Sequence, residues 1–286
     1  MKVSSIQLEI KDERNKQEMI SHVLTMMDKC RGDDLIILPE LWNVGFFNYD
    51  NYKNYAEAID GETASAISGK ARELGAYVFS GSFVEKQGDR YYNASVLFDR
   101  EGKNVGEYRK IHLFTYKCRE PEILTPGERL TVVETEFGKI GLATCYDLRF
   151  PELFRKMTVE MGAEFFLVTS GWPYPRLEAW NVLNQARALE NTCYLISCNA
   201  AGVNKGIRLA GHSQIVDPWG NVLAGTGYEE AIVRAEISRE ELLRIRKEFP
   251  CLTTVGYNTG GLSQMKICGR LCTKYAAAFM DLRRGP

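Results

Sequence analysis

The sequence has little histidine, no long apolar run and almost no net charge. Only three of its 286 residues are histidines, and 36 basic residues nearly balance 37 acidic ones, for a net charge of −1. This balance gives no electrostatic indication of a nucleic-acid or membrane partner. The longest purely apolar stretches, such as 35–38 and 165–168, are too short for a membrane-spanning helix. We therefore expect neither nucleic acid nor a membrane as a partner.

The N-terminal residues and the cysteines indicate the cellular compartment that we expect for the protein. Residues 1–9 alternate as a β-strand does and lack the apolar core of a signal peptide. We expect a cytoplasmic protein whose eight cysteines are reduced. Cys30, Cys193 and Cys198 lie in apolar stretches and are interpreted as core side chains. Cys268 and Cys272 are four residues apart, but no histidine or second cysteine pair accompanies them, so we predict no metal site.

Apolar periodicity predicts an alternation of strands and helices along the chain. Helices are predicted at 15–30, 63–74, 151–162, 176–190 and 238–249. Strands are predicted at 2–9, 34–39, 77–83, 93–99, 105–110, 139–144, 165–169, 194–198, 213–216 and 221–223.

A weak internal repeat indicates how these elements are layered. The order of strand, irregular stretch and hairpin at 77–110 returns at 194–224, although any α/β protein can contain such stretches. Two similar halves would bring two sheets face to face with helices outside, a four-layer α/β domain. We expect one domain over 1–255. Residues 256–286, with a weak helix at 273–282, are expected to form an extension that packs on a partner subunit or is poorly ordered.

Three reactive side chains each follow an apolar strand. Cys145 ends the run 140–144 and precedes a sharp turn into a helix, Glu40 ends the run 35–39, and Lys110 follows 106–109. A thiol, a carboxylate and an ammonium placed in this way can act as nucleophile, acid or base, and charge stabiliser. A carboxylate at the end of an apolar strand is expected to be partly buried. Partial burial raises its pKa, which suits it to transfer protons near neutral pH.

Histidine offers an alternative base for the thiol. His112 follows Lys110 by two residues and, on a strand, would point to the same face. A pair of Cys145 with His112 is therefore possible in principle, but Glu40 is the better candidate because of its apolar strand.

Three sequence blocks carry a family resemblance. They are Leu38-Pro39-Glu40-Leu41-Trp42, Tyr108-Arg109-Lys110-Ile111-His112-Leu113-Phe114 and Cys145-Tyr146-Asp147-Leu148-Arg149-Phe150-Pro151-Glu152. In order and separation they resemble the signature blocks of the nitrilase, or carbon–nitrogen hydrolase, superfamily. The resemblance covers about residues 1–250 and is greatest to the omega-amidase branch, which deamidates monoamides of 2-oxo dicarboxylic acids such as 2-oxoglutaramate.

The resemblance implies a fold and a set of catalytic roles. It implies an α-β-β-α sandwich that dimerises through its helices. Cys145 would be the nucleophile, Glu40 the general base and Lys110 the stabiliser of the tetrahedral intermediate. The backbone N–H of Tyr146 would also hold the oxyanion. A second glutamate lies between the lysine and cysteine blocks in this family; Glu120 occupies the matching place and Glu122 is the alternative. No metal or organic cofactor is implied.

Aromatic and basic residues near these blocks are candidates for a substrate pocket. Trp42, Phe46, Phe47, Trp172 and Tyr174 are the aromatic candidates. Arg176 is a candidate for binding a substrate carboxylate, or else faces water or an acidic group of another subunit. We expect Arg149 to pair with a structural carboxylate behind the nucleophile turn, and Arg187 to pair with Glu190 on one helix face.

The expected function is a cysteine-dependent amidase that hydrolyses a small carboxylic-acid amide to acid and ammonia through a thioester. The alternatives are another hydrolase of the superfamily, acting on N-carbamoyl amines or nitriles, and a catalytically silent scaffold protein. The expected partners are a small amide substrate and a second copy of the chain.

Overall fold

Two β-sheets lie face to face between layers of helices in the computed structural model, which describes residues 1–253. Residues 1–249 form one unit, and the account below concerns that unit. The predicted extension at 256–286, its helix at 273–282 and the pair of Cys268 with Cys272 lie outside the described residues.

The described residues contain seven α-helices and sixteen strands. The helices are α1 (Lys16–Asp28), α2 (Tyr52–Tyr55), α3 (Glu62–Leu74), α4 (Glu120–Ile123), α5 (Pro151–Val159), α6 (Leu177–Asn191) and α7 (Arg239–Glu248). The strands are β1 (Lys2–Gln7), β2 (Glu9–Lys11), β3 (Leu35–Ile37), β4 (Tyr77–Phe79), β5 (Phe83–Gln87), β6 (Arg90–Phe98), β7 (Asn104–Arg109), β8 (Thr131–Thr135), β9 (Gly138–Thr144), β10 (Phe165–Ser170), β11 (Tyr194–Asn199), β12 (Ala201–Asn204), β13 (Ile207–Arg208), β14 (Gln214–Val216), β15 (Val222–Gly225) and β16 (Ala231–Glu236).

Both large sheets have parallel strands at the centre and antiparallel strands at the edges. The first sheet has the order β16-β1-β3-β4-β6-β5, with β7 also paired to β6, and the second has the order β15-β14-β11-β10-β9-β8. Strands β1, β3 and β4 are parallel, as are β9, β10 and β11. The carboxyl ends of parallel strands meet at one edge of a sheet. In each of the two sheets, the residues that directly follow the parallel strands therefore lie close together at that edge. A small sheet of β13, β12 and β2 lies beside them.

The apolar clusters define the layers. Ile37 and Phe79 of the first sheet share one buried cluster with Leu142, Leu167 and Ile196 of the second. Two further clusters bury the outer faces of the sheets under helices, one beneath α1 and α3 and the other beneath α5 and α6. Each sheet face is thus covered, giving the four-layer α-β-β-α sandwich that was predicted.

Local signals explain several element boundaries. Asn15 accepts the Glu18 N–H (3.0 Å) while the Glu18 carboxylate accepts the Asn15 N–H (2.8 Å), a reciprocal cap that starts α1. Ser238 caps α7 by accepting the N–H of Glu241 at 3.2 Å.

The single strand predicted at 77–83 is wrong. The structure has two strands, β4 and β5, separated by a turn at Gly81, which has a φ of +68°. A side chain on Gly81 would overlap the carbonyl oxygen of Pro39 and the ring of Trp42. The close approach of these two segments holds the chain just ahead of Glu40, and the following Ser82 hydroxyl accepts the Leu41 N–H at 3.0 Å. Strands β8, β12, β13 and β16 and the short helices α2 and α4 were also not predicted.

Candidate active site

The turn after β9 displays Cys145. Cys145 has a φ of +50°, a left-handed conformation that is costly for a residue with a side chain. Asp147, fully buried, stabilises the turn by accepting the Thr144 N–H (2.9 Å) and the Tyr108 hydroxyl (2.7 Å). Because Tyr108 lies on β7 of the first sheet and Thr144 on β9 of the second, this carboxylate joins the nucleophile turn to the opposite sheet.

The Glu40 carboxylate is held on both oxygens. Its Oε1 accepts from Lys110 Nζ and from Asn93 Nδ2, each at 2.8 Å. Its Oε2 accepts the Gly171 backbone N–H at 2.8 Å. The side chain is completely buried, so its position is set by these three donors rather than by water.

Lys110 joins Glu40 to Glu120. The Lys110 Nζ donates to Glu120 Oε1 at 2.9 Å and to Oε2 at 3.0 Å, and all three side chains are buried. Burial works against the charged ammonium, but the attraction of Glu120 and Glu40 outweighs it and raises the pKa of Lys110 well above its usual value. Burial also raises the pKa of Glu120, with Lys110 opposing this and the charge of Glu40 adding to it.

The Cys145 thiol is favoured in its protonated form. Burial raises the pKa of Cys145 well above its usual value, and the Glu40 carboxylate raises it further, while Lys110 opposes the shift. Two carboxylates face one ammonium in this buried cluster, so a thiolate would add a second uncompensated negative charge. The arrangement therefore suits a thiol that loses its proton to Glu40 during attack.

The two alternative candidates, Glu122 and His112, lie outside the buried cluster of charged side chains. Glu122 is two-thirds exposed and pairs with Arg119 at 3.3 Å, whereas Glu120 reaches the buried cluster. The ring Nδ1 of His112 lies 2.8 Å from Asp147 Oδ1, and the ring stacks on Phe150 with centroids 3.6 Å apart. Glu120 therefore lies in the buried cluster with Glu40 and Lys110, Glu122 lies outside it, and His112 contacts Asp147 of the turn that follows Cys145.

A small pocket opens on Cys145. Its lining contains the predicted Phe46, Tyr146, Trp172 and Arg176, and also Phe114, Arg149, Gly171 and Pro173. The lining is apolar apart from two guanidinium groups and the thiol, and it contains no aspartate or glutamate.

Three predicted aromatic residues do not line this pocket. Trp42 is buried in the core, where its Nε1 donates to the Ser80 carbonyl at 2.8 Å, and Phe47 packs in the same cluster. Tyr174 is wrong as a pocket residue, because the short helical turn Tyr174–Arg176 directs its ring toward Tyr228 at 5.4 Å.

The prediction for Arg149 is also wrong. Among residues 1–253 no carboxylate forms an ion pair with it. Its guanidinium instead lies over the Trp172 ring, 5.0 Å from the centroid, and lines the pocket. The predicted pair of Arg187 with Glu190 is confirmed at 2.8 Å, and Arg187 also donates to the Leu148 carbonyl at 2.9 Å.

Sequence reasoning missed Asn93. Its Nδ2 donates to Glu40 Oε1 at 2.8 Å and to Glu120 Oε1 at 3.2 Å, so one amide group positions both carboxylates. The signal that could have found it is a polar amide in the middle of an otherwise apolar strand, where asparagine is disfavoured. Phe114 was also missed in its backbone role, which is to donate its N–H to Glu120 Oε2 at 2.7 Å.

These observations define a hydrolase site with a buried thiol, and comparison with known proteins identifies its family. A sequence model of the family described as Carbon-nitrogen hydrolase matches residues 2–247. The chain belongs to this family and is an enzyme that hydrolyses carbon–nitrogen bonds, which confirms the resemblance. No helix within residues 1–253 has the length and apolar character needed to cross a membrane.

Two amidases and one solved structure are similar to this chain over most of its length. The chain is 36% identical over 258 residues to the 2-oxoglutaramate amidase of Paenarthrobacter nicotinovorans, with 87% of each chain covered. It is 36% identical to the 2-oxoglutaramate amidase of Bacillus subtilis, covering 87% of this chain and 95% of that one. The crystal structure of Saccharomyces cerevisiae Nit3, a member of branch 10 of the nitrilase superfamily, matches with a TM-score of 0.82 and 28% identity over 90% of this chain and 97% of that chain.

Proposed function

We propose that this enzyme is an omega-amidase-like hydrolase that converts the monoamide of a small 2-oxo dicarboxylic acid, such as 2-oxoglutaramate, to the acid and ammonia. The observation that carries this proposal is the buried cluster of Glu40, Lys110 and Glu120 beside the Cys145 thiol, at the base of a small pocket with basic side chains. The names of the similar amidases support the choice of substrate.

The first half-reaction forms a thioester. Glu40 takes the thiol proton as the Cys145 sulfur attacks the amide carbon. Lys110 and the backbone N–H of Tyr146 stabilise the oxygen that becomes negative, and each such donor contributes roughly 100- to 1,000-fold to the rate. The C–N bond then breaks, Glu40 returns the proton to the nitrogen, and ammonia leaves.

The second half-reaction regenerates the thiol. Glu40 accepts a proton from water as the water oxygen attacks the thioester carbon. The carbon–sulfur bond breaks, the proton passes to the sulfur, and the carboxylic acid is released. Glu120 supports both steps by holding the Lys110 ammonium, whose Nζ lies 2.9 Å and 3.0 Å from its two carboxylate oxygens.

Arg176 is our candidate for the substrate carboxylate. Its guanidinium lies over the rings of Phe114 and Tyr116, at 5.1 Å and 5.7 Å from their centroids, and it lines the pocket together with Cys145. A guanidinium held in this way presents paired N–H groups that match a carboxylate.

Ammonia release from a panel of amides tests the proposal. We expect a higher kcat/KM for 2-oxoglutaramate than for succinamate, an N-carbamoyl amine or a nitrile, and no turnover by the Cys145→Ala variant. Mass spectrometry after rapid quenching should detect an acyl adduct on Cys145. Turnover that survives in the Cys145→Ala variant would contradict the mechanism, and preference for a nitrile or a carbamoyl compound would contradict the substrate class.

The protein is further proposed to act in the cytoplasm as a homodimer. Cys30, Cys118, Cys145, Cys193 and Cys198 are free thiols, which is typical of a reducing compartment. Val182 and Leu189 on α6 leave 62% and 51% of their surface exposed, an apolar helix face suited to a second copy.

A further inference from the structure

Ser170 and Cys145 lie at the ends of neighbouring strands of the second sheet. Strands β10 and β9 are parallel, and their register pairs Thr169 with Thr144. The next residues along the two strands are Ser170 and Cys145, and neighbouring strands of a sheet lie roughly 4.8 Å apart. The serine and the cysteine are therefore neighbours at the edge of the sheet where the parallel strands end.

The two side chains lie on the same face of that sheet. Side chains alternate between the two faces of a strand, so Ser170 lies on the face of Val168. Val168, its register partner Ala143 and Cys145 belong to one buried cluster, on the side of the sheet that α5 and α6 cover. The Ser170 side chain is therefore on the side where the thiol lies.

The Ser170 hydroxyl is buried next to the thiol without an ordinary polar partner. The side chain is fully buried, and within residues 1–253 its Oγ forms no hydrogen bond with a nitrogen or oxygen atom. Ser95 of β6 shares this property, but Ser170 differs in its contact with Cys145. Against the larger effect of burial, a hydrogen bond from Ser170 lowers the pKa of the Cys145 thiol. A buried hydroxyl without an oxygen or nitrogen partner costs free energy, so its presence beside a reactive sulfur needs an explanation.

The backbone around Ser170 holds the acid that acts on the same thiol. The Ser170 carbonyl accepts the Glu40 N–H at 3.2 Å and the Ala200 N–H at 3.0 Å. The Gly171 N–H donates to Glu40 Oε2 at 2.8 Å. The hydroxyl is thus fixed relative to both Glu40 and the sulfur before the reaction begins, and a donor fixed in this way stabilises charge without reorganisation.

We propose that the Ser170 hydroxyl is a catalytic hydrogen-bond donor to the Cys145 sulfur, which stabilises negative charge on the sulfur as it attacks the amide and as it leaves the thioester. This inference rests on the proposed amidase function and adds a group that acts on the sulfur rather than on the substrate oxygen. In the first step Glu40 takes the thiol proton and the sulfur electron pair forms the carbon–sulfur bond. In the second step that bond breaks, its electron pair returns to the sulfur, and the proton that Glu40 took from water passes to the sulfur. The hydroxyl keeps its own proton in both steps.

The charges of the buried cluster leave a role for such a neutral donor. The Lys110 ammonium already binds the carboxylates of both Glu40 and Glu120. Negative charge on the sulfur is opposed by these two carboxylates, and one ammonium does not compensate for all three groups. A hydroxyl stabilises the charge on the sulfur without bringing a further charge into the cluster.

Alkylation of Cys145 by iodoacetamide tests this contact without any substrate. The variant is Ser170→Ala, and the matched control is Ser197→Ala, which removes a buried hydroxyl of the adjacent strand β11 that donates to the Gln214 carbonyl at 3.1 Å. Neither variant changes the charged groups near the thiol, which are Glu40, Lys110, Glu120, Arg149 and Arg176.

We expect Ser170→Ala to be alkylated about threefold more slowly at each pH from 6 to 9, because a roughly tenfold smaller thiolate fraction is partly offset by the greater nucleophilicity of a more basic thiolate. Mass spectrometry of the peptide that contains Cys145 measures the rate. Ser197→Ala should be alkylated at the wild-type rate.

Thermal unfolding and steady-state kinetics separate this role from a structural one. Ser170→Ala should have an unchanged or higher Tm, because the hydroxyl that it removes binds no oxygen or nitrogen atom within residues 1–253. Ser197→Ala loses a formed hydrogen bond and should unfold at a lower temperature. For 2-oxoglutaramate, kcat of Ser170→Ala should fall at least about tenfold with little change in KM, since the donor acts on charge that develops in the transition state. Ser197→Ala should keep kcat within about twofold of the wild-type value.

Three outcomes would overturn the inference. Alkylation of Ser170→Ala at the wild-type rate at every pH would show that the hydroxyl does not act on the sulfur. Equal losses in Ser170→Ala and Ser197→Ala would make the effect a general property of the sheet. Slower alkylation with an unchanged kcat, for whichever amide the wild-type enzyme hydrolyses, would remove the role of Ser170 in the reaction. Failure of the wild-type enzyme to hydrolyse 2-oxoglutaramate would count against the proposed function alone, because the alkylation rates need no amide.

Discussion

Cys145 sits in surroundings that resist removal of its proton. Burial and the nearby Glu40 carboxylate both raise the pKa of its thiol, and Lys110 and a hydrogen bond with Ser170 act in the other direction. A thiol paired with a histidinium behaves in the opposite way, because the imidazolium stabilises the thiolate at neutral pH. The two kinds of site can be distinguished by how thiol reactivity depends on pH.

We predict that alkylation of Cys145 by iodoacetamide accelerates continuously from pH 6 to beyond pH 9. A raised pKa keeps the thiolate a minor species throughout this range, so its fraction grows with each unit of pH. The rate is measured by loss of activity and by mass spectrometry of the modified peptide, with Cys145→Ala as the blank. A plateau below pH 8 would indicate a preformed thiolate and contradict the prediction.

Glu120 and Glu122 form a matched pair for testing the second glutamate. We predict that Glu120→Gln lowers kcat at least about 100-fold, the usual minimum for a group that supports proton transfer. Glu122→Gln should leave kcat within twofold, since Glu122 is mostly exposed and pairs only with Arg119 among the described residues. Thermal unfolding of both variants checks that each is folded; equal losses of activity would refute the assignment.

At the scale of elements, the turn between β4 and β5 positions the segment that carries Glu40. Gly81 has a φ of +68°, and a Cβ there would overlap the Pro39 carbonyl oxygen. Gly88, between β5 and β6, has a φ of +58° but open space around it. The two glycines share a backbone conformation and differ only in their surroundings.

We predict that Gly81→Ala lowers the free energy of unfolding by at least about 2 kcal/mol, because steric overlap adds to the cost of a left-handed alanine. Gly88→Ala should lower it by only about 1 kcal/mol. Urea denaturation followed by circular dichroism measures both. Losses of the same size would mean that the approach of Gly81 to Pro39 does not constrain the fold.

The sequence predicts those elements best whose pattern is local. The strands that precede Glu40 and Cys145 are short apolar runs, and these two strands and the more polar strand before Lys110 lie within a few residues of their predicted positions. Strand β16 was not predicted. It pairs with β1, more than 200 positions away in the sequence, and such long-range pairing is not visible in the local pattern of apolar residues.

Side-chain direction was less predictable than strand position. Tyr174 and Arg176 are two residues apart in the short helical turn before α6, yet only Arg176 lines the pocket, because side chains two positions apart in a helical turn do not face the same way. Arg149 was misjudged for a related reason, since the sequence does not show whether an acidic group lies within its reach.

At the scale of the whole molecule, we expect association through the outer helices. An exposed apolar face on α6 is more stable when covered by a second copy. We predict that Val182→Glu lowers the mass measured by light scattering from that of a dimer, twice 32.4 kDa, toward that of a monomer, 32.4 kDa. As a control, Val203→Glu, at an exposed site on β12, should leave the measured mass unchanged. A monomeric wild-type protein, or a dimer insensitive to Val182→Glu, would contradict this interface.

The proposed catalytic groups come from two different sheets. Glu40 and Lys110 follow β3 and β7 of the first sheet, while Cys145 follows β9 of the second. Several hydrogen bonds hold these parts in line: Asp147 accepts from the Tyr108 hydroxyl across the interface, the Glu40 N–H donates to the Ser170 carbonyl at 3.2 Å, and the Gly171 N–H donates to the Glu40 carboxylate at 2.8 Å. A slip of one sheet against the other by a fraction of a residue would separate acid from thiol while leaving each sheet intact. Enzyme activity is therefore a sensitive measure of how the two sheets pack against each other. Activity should disappear before either sheet loses its own secondary structure.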